Sequence, residues 1–439
     1  MKRRILVLGA GRSSTHLIEY LIQKRLEWNI HLRVGDATLA FAADKVGESD
    51  DAEAFELDAN DENQLVDEVS KSDLVISMLP AFMHITVGRI CLDLGKHLIT
   101  PSYVSPEMKA LHNEAEAKGL YFLNEMGVDP GIDHMSAMRI IQNLKKRGCK
   151  IKSFYSLTGG LIAPASDNNP WNYKVTWNPR NIVMAGSGSP AHFRHQAKDK
   201  LIPYHRLFAE LMEIEIPNYG MFEGYPNRDS MSYEELYGLH GIATLYRGTL
   251  RRKGFCEAWN VLVQLGMTDD TRILDWSGKT LSDFTQVFLP ENSKQYLTTL
   301  THSDVLFKLQ WLGLWDVTPV PIKRGSPAQV IQALIEERWA LDPQDRDMIA
   351  MCHIFEFEEN GQSKKLMSFM VNEGQDARHT AMSATVGLPM ALSVPYILDG
   401  VWKNKGVVWP LHAEIYETIL SQLSELGVQF LEQEFEVGL

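Results

Sequence analysis

A short glycine-containing turn near the start of the chain has the composition of an anion-binding site. Residues 9–14 read Gly-Ala-Gly-Arg-Ser-Ser, so glycine fills the first two positions of a Gly-x-Gly-x-x-Gly pattern and serine fills the third. The first glycine permits a tight turn, the second lets a pyrophosphate approach the backbone, and N–H groups at the following helix start bind the anion. The turn predicts a dinucleotide site formed by Gly9, Gly11, Arg12, Ser13 and Ser14.

A second group of candidate residues follows the later strand-like stretches. Asp36 lies 25 residues after Gly11, where an acid accepts hydrogen bonds from the ribose hydroxyls of NAD and repels the 2′-phosphate of NADP. Strand ends of a doubly wound sheet line the crevice that holds a dinucleotide. The further candidates for cofactor contact are Ala37, Asp58, Leu79, Pro80 and Ser102. This set predicts a nicotinamide dinucleotide, with NAD favoured and NADP as the alternative.

These side chains need a framework that brings strand ends together, and residues 4–123 have the required pattern. Short apolar runs alternate with amphipathic stretches, which is typical of buried strands and surface helices in turn. The predicted strands are 4–9, 30–35, 55–58, 74–79, 97–100 and 120–123, and the predicted helices are 13–25, 37–48 and 61–70. The alternation predicts an α/β fold with a Rossmann-type, doubly wound parallel sheet.

The pattern changes after Gly131, where a helix is predicted over residues 133–147 with Asp133 as its N-cap. Strand-like stretches such as 151–157 and 351–357 follow, and helices are predicted at 386–400 and 411–427. We therefore expect three parts. They are a dinucleotide-binding Rossmann domain at 1–131, a substrate-binding and dimerisation α+β domain with a mixed sheet at 132–385, and C-terminal helices at 386–439 that pack back onto the Rossmann domain.

The composition argues against several classes of protein. The 439 residues carry a net charge of −13, whereas nucleic-acid and anionic-membrane partners require a basic surface. The four cysteines lack the spacing of a disulfide frame or a metal site, so we expect reduced thiols, no metal and a cytoplasmic location. No window approaches about 18 consecutive apolar residues, so no membrane span is expected. The expected partner is a small molecule.

Several longer motifs are more specific than the glycine turn. They read Ser77-Met78-Leu79-Pro80, Thr100-Pro101-Ser102-Tyr103-Val104, Asn124-Glu125-Met126-Gly127-Val128-Asp129-Pro130-Gly131, Tyr225-Pro226-Asn227-Arg228, Arg247-Gly248-Thr249-Leu250-Arg251 and Thr385-Val386-Gly387-Leu388-Pro389. In this order, through nearly the whole chain, they resemble the glutamate-forming saccharopine dehydrogenase (saccharopine reductase) family.

The resemblance implies an oxidoreductase of lysine metabolism that acts on a CH–NH group. In that family, aminoadipate semialdehyde and glutamate condense to an imine, which a nicotinamide cofactor reduces to saccharopine, and the reaction also runs in reverse. The resemblance further implies a homodimer. The substrate-binding residues that it implies are Ser102, Tyr103, Asp129, Arg228, Thr249, Leu250 and Arg251.

The chemistry of such a substrate suits these side chains. Saccharopine carries several carboxylates, which guanidinium groups bind in bidentate fashion, so Arg228 and Arg251 fit that role. Asp129 could hold a cationic amine, and Tyr103 could hydrogen-bond a carboxylate or relay a proton. Tyr103 and Asp129 are therefore the catalytic candidates. The sequence does not identify a separate general acid or base.

The chain departs from the fungal-type pattern at two places. Where those relatives typically read Cys-Arg-Thr after the second strand, residues 36–38 here read Asp-Ala-Thr, which removes an arginine suited to a 2′-phosphate and supports NAD. Where the family reads Ser-Tyr-Cys-Gly-Gly, residues 156–160 read Ser-Leu-Thr-Gly-Gly, so any role of that cysteine is absent.

Two other functions remain open at this point. One is an imine reductase of polyamine metabolism similar to carboxynorspermidine dehydrogenase, which would call for an excess of acidic residues in the pocket. The other is a non-catalytic NAD-binding regulator, which would keep the glycine turn and lose the substrate arginines. The presence of both Arg228 and Arg251 favours saccharopine over either alternative.

Overall fold

A computed structural model describes residues 2–185, 187–290, 297 and 302–436. The chain divides into two compact units. The first holds Met1–Gly148 and Val371–Phe430, and the second holds Cys149–Met370 and Leu431–Leu439. The division expected from the sequence, at 131/132 and 385/386, stays a prediction, and the elements are described below by compact unit.

The first unit starts with alternating strands and helices. The strands are β1 (Arg3–Leu8), β2 (Ile30–Asp36), β3 (Ala52–Glu56), β4 (Leu74–Ser77), β5 (His97–Ile99) and β6 (Tyr121–Leu123). The helices are α1 (Thr15–Lys24), α2 (Leu39–Val46), α3 (Glu62–Ser70), α4 (His84–Leu94), α5 (Pro106–Ala110), α6 (His112–Ala117) and α7 (Ile132–Lys146). Every strand and helix predicted before Gly131 is found, with shifted ends.

The start of α7 corrects one prediction. The N-cap of this helix is Gly131 and not Asp133, which is buried in the first turn. The Asp133 carboxylate nevertheless accepts a hydrogen bond of 2.6 Å from the Gly131 N–H. An acid in the first turn of a helix satisfies N–H groups that have no partner within the helix, so the physical role is kept while the position moves.

The second unit is built on a larger sheet. Its strands in this part of the chain are β7 (Lys150–Ile162), β8 (Ala191–His195), β9 (Lys198–Ile202), β10 (Met212–Ile216), β11 (Gly220–Pro226), β12 (Thr244–Arg252), β13 (Leu274–Asp275), β14 (Arg324–Gly325), β15 (Asp347–Glu359) and β16 (Gln362–Glu373). Its helices are α8 (Pro179–Val183), α9 (Tyr204–Leu207), α10 (Tyr233–Leu236), α11 (Phe255–Leu265), α12 (Leu281–Phe288), α13 (Ser303–Trp311) and α14 (Pro327–Arg338).

The chain then returns to the first unit. The returning elements are α15 (Ala381–Leu398), β17 (Gly406–Val408) and α16 (Ala413–Glu425), and β18 (Leu431–Glu436) rejoins the larger sheet. A Cβ added at Gly387 would lie 2.8 Å from the backbone nitrogen of Leu17, so glycine permits the close approach of α15 to α1. By length and hydropathy α15 could cross a membrane, but 83% of it is buried inside the fold, as in the core helix of a soluble domain.

The two sheets confirm the predicted fold class. The first unit contains a seven-stranded sheet in the order β17-β6-β5-β4-β1-β2-β3, in which the neighbouring strands are parallel. The second contains a mixed nine-stranded sheet, where β12 pairs with β7 in parallel and with β11 in antiparallel orientation. Strands β1 and β4 to β6 therefore end at one edge of the first sheet, where the strand-end candidates lie.

Candidate functional site

The glycine turn follows β1 and has room for a ligand. Gly9 has a φ of +99°, and a Cβ there would lie 3.1 Å from the Met78 carbonyl oxygen, so both conformation and packing require glycine. A Cβ added at Gly11 would meet no atom within 4 Å. Because its own surroundings do not require glycine, the open space above Gly11 fits the close approach of a pyrophosphate to the backbone.

Ser14 explains why the third glycine of the pattern is dispensable here. It is buried, and its hydroxyl donates a hydrogen bond of 2.9 Å back to the Gly11 carbonyl. The predicted helix over 13–25 is found two residues later, at Thr15–Lys24, after a 3-10 turn over Arg12–Ser14. Ser14 therefore closes the turn on itself, while Arg12 is exposed and Ser13 is half-buried beside the open space.

Lys45 is a residue of this region that the sequence did not identify. Its Nζ contacts the Gly11 carbonyl oxygen and lies 3.0 Å from the Ser14 hydroxyl. Burial, and next the neighbouring Arg378, lowers the pKa of Lys45 to about 8. The residue lies on α2, so only tertiary contact places this cation beside the glycine turn.

Asp36 ends β2 next to the same turn. Its Oδ2 accepts a hydrogen bond of 2.7 Å from the Ala10 N–H, and its Oδ1 accepts one of 2.9 Å from the Thr38 N–H. These bonds hold the carboxylate in a fixed direction, and each oxygen keeps a further lone pair for a ribose hydroxyl. Ala37 is exposed beside it and presents no charge.

The remaining strand-end candidates, Asp58, Leu79 and Pro80, are exposed or half-buried. Asp58 is exposed, and hydrogen bonds from the Asn60 backbone and side chain lower its pKa. Leu79 is half-buried and Pro80 is exposed, just beyond the end of β4. Because β4 lies between β1 and β5, Leu79 and Pro80 follow the strand that separates the glycine turn from Ser102.

Ser102 lies at the end of a line of three polar side chains. The Ser77 hydroxyl is 2.9 Å from Nδ1 of His84, and Nε2 of His84 is 2.9 Å from the Ser102 hydroxyl. Burial lowers the pKa of His84 to about 4, so the imidazole is neutral near pH 7. The structure thus gives His84 two hydroxyl partners.

Tyr103 and Asp129 are brought together. The Tyr103 hydroxyl donates a hydrogen bond of 3.0 Å to Oδ1 of Asp129. Tyr103 follows β5 and Asp129 follows β6, and these two strands are parallel neighbours. Gly131 closes the Asp129 turn with a φ of +147°, and a Cβ there would lie 2.0 Å from the Gly127 carbonyl oxygen.

Glu125 is a second residue that the sequence did not single out. It is buried and non-glycine with a φ of +57°. Its carboxylate accepts hydrogen bonds of 3.0 Å from the Val104 N–H and the Trp409 indole, and it lies 2.7 Å from Nε2 of His134. Through His134, Glu125 therefore ties the segment that carries Tyr103 to helix α7.

In the second unit, Arg251 is buried with an exposed fraction of 3%. Its guanidinium carbon lies 5.1 Å from the ring centre of Tyr173, 5.3 Å from that of Phe255 and 5.7 Å from that of Tyr225. It donates to the Leu250 carbonyl and to the Tyr225 hydroxyl, while its Nε has no partner among the described residues. Within that same part of the chain no carboxylate forms an ion pair with Arg251.

The other candidates of the second unit lie on two adjacent strands. Arg228 follows β11, is exposed and has a φ of +47°, and its carbonyl accepts a hydrogen bond from the His192 N–H. Thr249 is opposite Tyr225 in the β11–β12 register, and Leu250 is fully buried. The candidates Arg228, Thr249, Leu250 and Arg251 thus lie on or directly beside this pair of strands.

Within the described part of the chain, there is neither a metal-binding cluster nor a disulfide. The described residues contain no group of three His, Cys, Asp or Glu side chains that could hold a metal ion. All four cysteines are free, with Cys149 half-buried and Cys91, Cys256 and Cys352 buried. Burial raises the pKa of Cys352 to about 12, which makes its thiol unreactive.

Comparison with known proteins identifies the family. Residues 5–123 match the model of the saccharopine dehydrogenase NADP binding domain, and residues 127–428 match that of the saccharopine dehydrogenase C-terminal domain. The chain belongs to the saccharopine dehydrogenase family. The predicted family is therefore confirmed, and the second match covers more than half of the chain.

Individual members of the saccharopine dehydrogenase family align along the whole chain. The NADP(+), L-glutamate-forming saccharopine dehydrogenase of Schizosaccharomyces pombe is 35% identical and covers 98% of each chain. Alpha-aminoadipic semialdehyde synthase of Arabidopsis thaliana is 33% identical over 98% of this chain, which matches 45% of that longer protein. The apo structure of the L-Glu-forming enzyme from Saccharomyces cerevisiae has a TM-score of 0.88 at 29% identity, covering 99% of this chain and 100% of that one.

Family membership supports a nicotinamide dinucleotide as the cofactor. The matched N-terminal model is described as NADP binding, and the name of the Schizosaccharomyces pombe relative specifies NADP(+). These matches favour NADP over the NAD preference that Asp36 predicts. The glycine turn itself fits either dinucleotide, because the two differ only at the 2′-position of the adenosine ribose.

Proposed function

We propose that this protein interconverts saccharopine with aminoadipate semialdehyde and glutamate, as its named relatives do. In the oxidative direction the C–H bond beside the secondary amine is broken, and the resulting imine is hydrolysed by one water molecule to an aldehyde and an amine. A bound nicotinamide accepts or supplies the hydride. The chain itself must bind the carboxylates, orient the amine and manage its proton.

The observation that carries this proposal is the hydrogen bond between Tyr103 and Asp129 beyond the ends of β5 and β6. A phenol and a carboxylate at the cofactor edge of a Rossmann sheet suit a reaction in which an amine changes its protonation state beside a hydride donor. Asp129 stabilises the cationic amine, and Tyr103 orients that carboxylate. Both roles use charge and hydrogen bonding without covalent catalysis.

Carboxylate recognition is assigned to the second unit. Arg251 is a buried cation that has no ion pair among the described residues, and Glu223 opposite it on β11 attracts it electrostatically, so a substrate carboxylate would stabilise it further. Arg228 is the second arginine candidate and is exposed. A substrate with several carboxylates uses both groups, whereas a polyamine aldehyde uses neither, so the two arginines favour saccharopine over the polyamine alternative. Thr249 and Leu250 are the further substrate-binding candidates of this unit, and Ser102 is one of the first unit.

The decisive assay follows the absorbance of reduced nicotinamide with aminoadipate semialdehyde and glutamate, and of oxidised nicotinamide with saccharopine. A panel of polyamine aldehydes runs in parallel. We expect turnover with the first set alone. Turnover with a polyamine aldehyde would move the proposal to the polyamine pathway, and cofactor binding without any turnover would make the protein a regulator.

Two substitutions test the roles of the pair. Asp129→Asn and Tyr103→Phe keep the size of each side chain, and each should lower kcat on the order of 100-fold. Tyr20→Phe is the matched control, because Tyr20 is a half-buried tyrosine of α1 in the same unit. Equal activity of Tyr103→Phe and Tyr20→Phe would remove Tyr103 from the mechanism.

The choice between the two dinucleotides is a finer proposal. We propose that Asp36 makes NADH the better reductant, because a fixed carboxylate at the ribose position repels a 2′-phosphate. The names of the relatives point the other way, towards NADP. Measuring KM for NADH and NADPH separates the two expectations, and a lower KM for NADPH would refute the role given to Asp36.

The cellular location and the oligomeric state of the protein are proposed from more general observations. A cytoplasmic location fits the four free cysteines and the buried placement of α15. A homodimer is proposed because closed symmetric dimers are the commonest soluble assemblies. Light scattering of the purified protein tests the dimer directly, and a mass near the 49.7 kDa of one chain would contradict it.

A further inference from the structure

The line Ser77–His84–Ser102 lies wholly within the first unit. Ser77 ends β4, His84 is the first residue of α4, and Ser102 follows β5. Ser77 is fully buried, His84 has an exposed fraction of 4%, and Ser102 is half-buried. The line therefore runs from the interior of the sheet outwards to a residue at its carboxyl edge.

The available hydrogen-bond partners determine which group donates and which accepts along the line Ser77–His84–Ser102. A neutral imidazole has one N–H donor and one bare nitrogen acceptor, and the choice between the two must be inferred from its partners. In the part of the chain that the structure describes, His84 is the only hydrogen-bond partner of the Ser77 side chain. The Ser77 hydrogen must therefore be donated to Nδ1, or it stays buried and unpaired.

The opposite tautomer is disfavoured for that reason. If Nδ1 carried the proton, the Ser77 oxygen would accept it and the buried Ser77 hydrogen would lose its partner, which is unfavourable. With the proton on Nε2, Ser77 donates to Nδ1 and Nε2–H donates to Ser102. The Ser102 hydroxyl then accepts from the protein and its own hydrogen is left to donate.

We infer that His84 is a positioning residue that presents the Ser102 hydroxyl as a hydrogen-bond donor to a ligand. The ligand atom must be an acceptor oxygen without a proton of its own to give. A carboxylate of the amino-acid substrate and the carboxamide oxygen of the nicotinamide ring both satisfy this requirement. The inference specifies the polarity of Ser102, and only its kinetic test rests on the proposed function.

The neutral state of His84 supports this role. Burial is the cause of its lowered pKa of about 4, so the ring does not gain a proton between pH 6 and pH 9. A charged imidazolium would donate from both nitrogens and would turn Ser77 into an acceptor. His84 acts through Ser102 by geometry, and it contributes no titrating step to the reaction.

The tautomer can be measured without any substrate. Nitrogen NMR of the ¹⁵N-histidine-labelled full-length protein at pH 7 should show, for His84, a proton bound to Nε2 and a bare Nδ1. The signal is assigned by its loss in His84→Gln. A proton on Nδ1, or on both nitrogens, would overturn the inference whether or not the protein oxidises saccharopine.

Four variants test the positioning role. Ser102→Ala removes the donor, and we expect a loss in kcat/KM on the order of 10-fold, the effect of one neutral hydrogen bond. His84→Met removes the bond to Ser102 and should cause a similar loss, whereas His84→Gln restores an N–H near the Nε2 position and should recover most activity. In the double variant His84→Met with Ser102→Ala, the second change should add less than about 2-fold.

A merely structural histidine gives a different result. Additive losses in the double variant, or equal losses in His84→Gln and His84→Met, would overturn the inference. Ser77→Ala should raise the fraction of the Nδ1–H tautomer in the NMR spectrum. An unchanged tautomer in that variant would likewise contradict the direction assigned to the line.

Binding measurements separate the two ligand sources. If Ser102 donates to the carboxamide, Ser102→Ala and His84→Met raise the Kd of the reduced dinucleotide, as measured by tryptophan fluorescence. If it donates to a carboxylate, the dinucleotide Kd is unchanged and the KM for saccharopine rises. No change in either constant for Ser102→Ala would show that its hydroxyl serves no ligand.

Discussion

The two units hold their polar groups in contrasting ways. In the first unit, the hydroxyl, imidazole and carboxylate groups near the strand ends are bonded to one another, as in Ser77–His84–Ser102 and Tyr103–Asp129. In the second, the guanidinium of Arg251 is enclosed by aromatic rings and has no ion pair among the described residues. The first unit has its hydrogen bonds made within the protein, whereas the second holds a buried cation that forms no ion pair among the described residues, although Glu223 on the neighbouring strand attracts it electrostatically.

The difference follows from the core of each unit. The second unit packs Trp171, Trp259 and Trp339 around Phe255 and Tyr173, all of them buried. Aromatic faces stabilise a cation but cannot replace a carboxylate. The first unit is a parallel sheet whose strand ends expose backbone and side-chain polar groups together. The pre-organised hydrogen-bonding groups of the first unit suit the reacting atoms, and the buried guanidinium of the second unit suits an anionic substrate.

The largest expected effect comes from removing the buried positive charge of Arg251. Arg251→Met should lower kcat/KM for saccharopine on the order of 100- to 1000-fold, because a buried ion pair with the substrate is lost. The free energy of unfolding should fall by less than about 1 kcal/mol or rise, since an unpaired charge leaves the core. Steady-state kinetics and urea unfolding measure the two effects.

Arg252→Met is the matched control for Arg251→Met. Arg252 is the next residue of β12, stacks on Phe222 and donates to the Tyr219 carbonyl. It should keep kcat/KM within about 3-fold. If Arg251→Met is strongly unstable while its KM is normal, the cation is structural and the contrast between the units fails.

The next effect concerns backbone packing at Gly131, which closes the Asp129 turn. Gly131→Ala should cost more than about 3 kcal/mol of unfolding free energy, because its Cβ would collide with Gly127 and its φ is positive. Gly148→Ala is the control, since it has a positive φ and open space and should cost about 1 kcal/mol. Denaturant titration compares them, and similar costs would show that the Asp129 turn is not closely packed.

The third effect is the pH dependence of the first unit. The pKa of His84 is lowered to about 4 from 6.5, so the unfolded state binds a proton first and stability falls as pH drops from 6.5 towards 4. Acidification from pH 7 to pH 5 should cost about 2 kcal/mol through His84 alone. In His84→Gln this share of the loss should disappear, as urea unfolding at both pH values would show. An identical loss in both proteins would mean that His84 is not a neutral buried partner.

The smallest effect is expected at the cofactor. The double variant Asp36→Cys with Ala37→Arg installs the residues of the fungal pattern and should shift the ratio of kcat/KM for NADPH over NADH upwards by about 10-fold. His31→Arg, which adds a charge at a half-buried position of β2, serves as the control. If the double variant leaves this ratio unchanged, Asp36 does not determine the preference between NADH and NADPH. That result would weaken the contrast between the two units.

Much of the first unit could be read from local sequence. The strands β1, β2 and β4 are apolar runs, the glycine turn follows β1 directly, and Asp36 and Ser102 follow strands. Such features depend on residues close in sequence, so periodicity and turn composition suffice to find them. The family was equally accessible, because its motifs are contiguous segments.

Other features were not accessible because they join distant segments. Lys45 reaches the glycine turn from α2. Glu125 accepts a hydrogen bond from the indole of Trp409, which is 284 residues away in sequence. The strand β17, which extends the parallel sheet beyond β6, was not predicted, since it joins the sheet only by pairing with a strand far away in sequence. The N-cap of α7 was misplaced by two residues because an acid can satisfy helix N–H groups from either position.

The sequence by itself determined the fold class, the family, the dinucleotide turn and the types of residue available for binding a carboxylated amino acid. Only the tertiary structure decided which hydroxyl faces which nitrogen, that Tyr103 bonds Asp129 and that Arg251 is buried without an ion pair among the described residues. The physical reason is that composition and spacing fix secondary structure locally, whereas protonation state, hydrogen-bond direction and the cost of a buried charge depend on neighbours that only folding brings together.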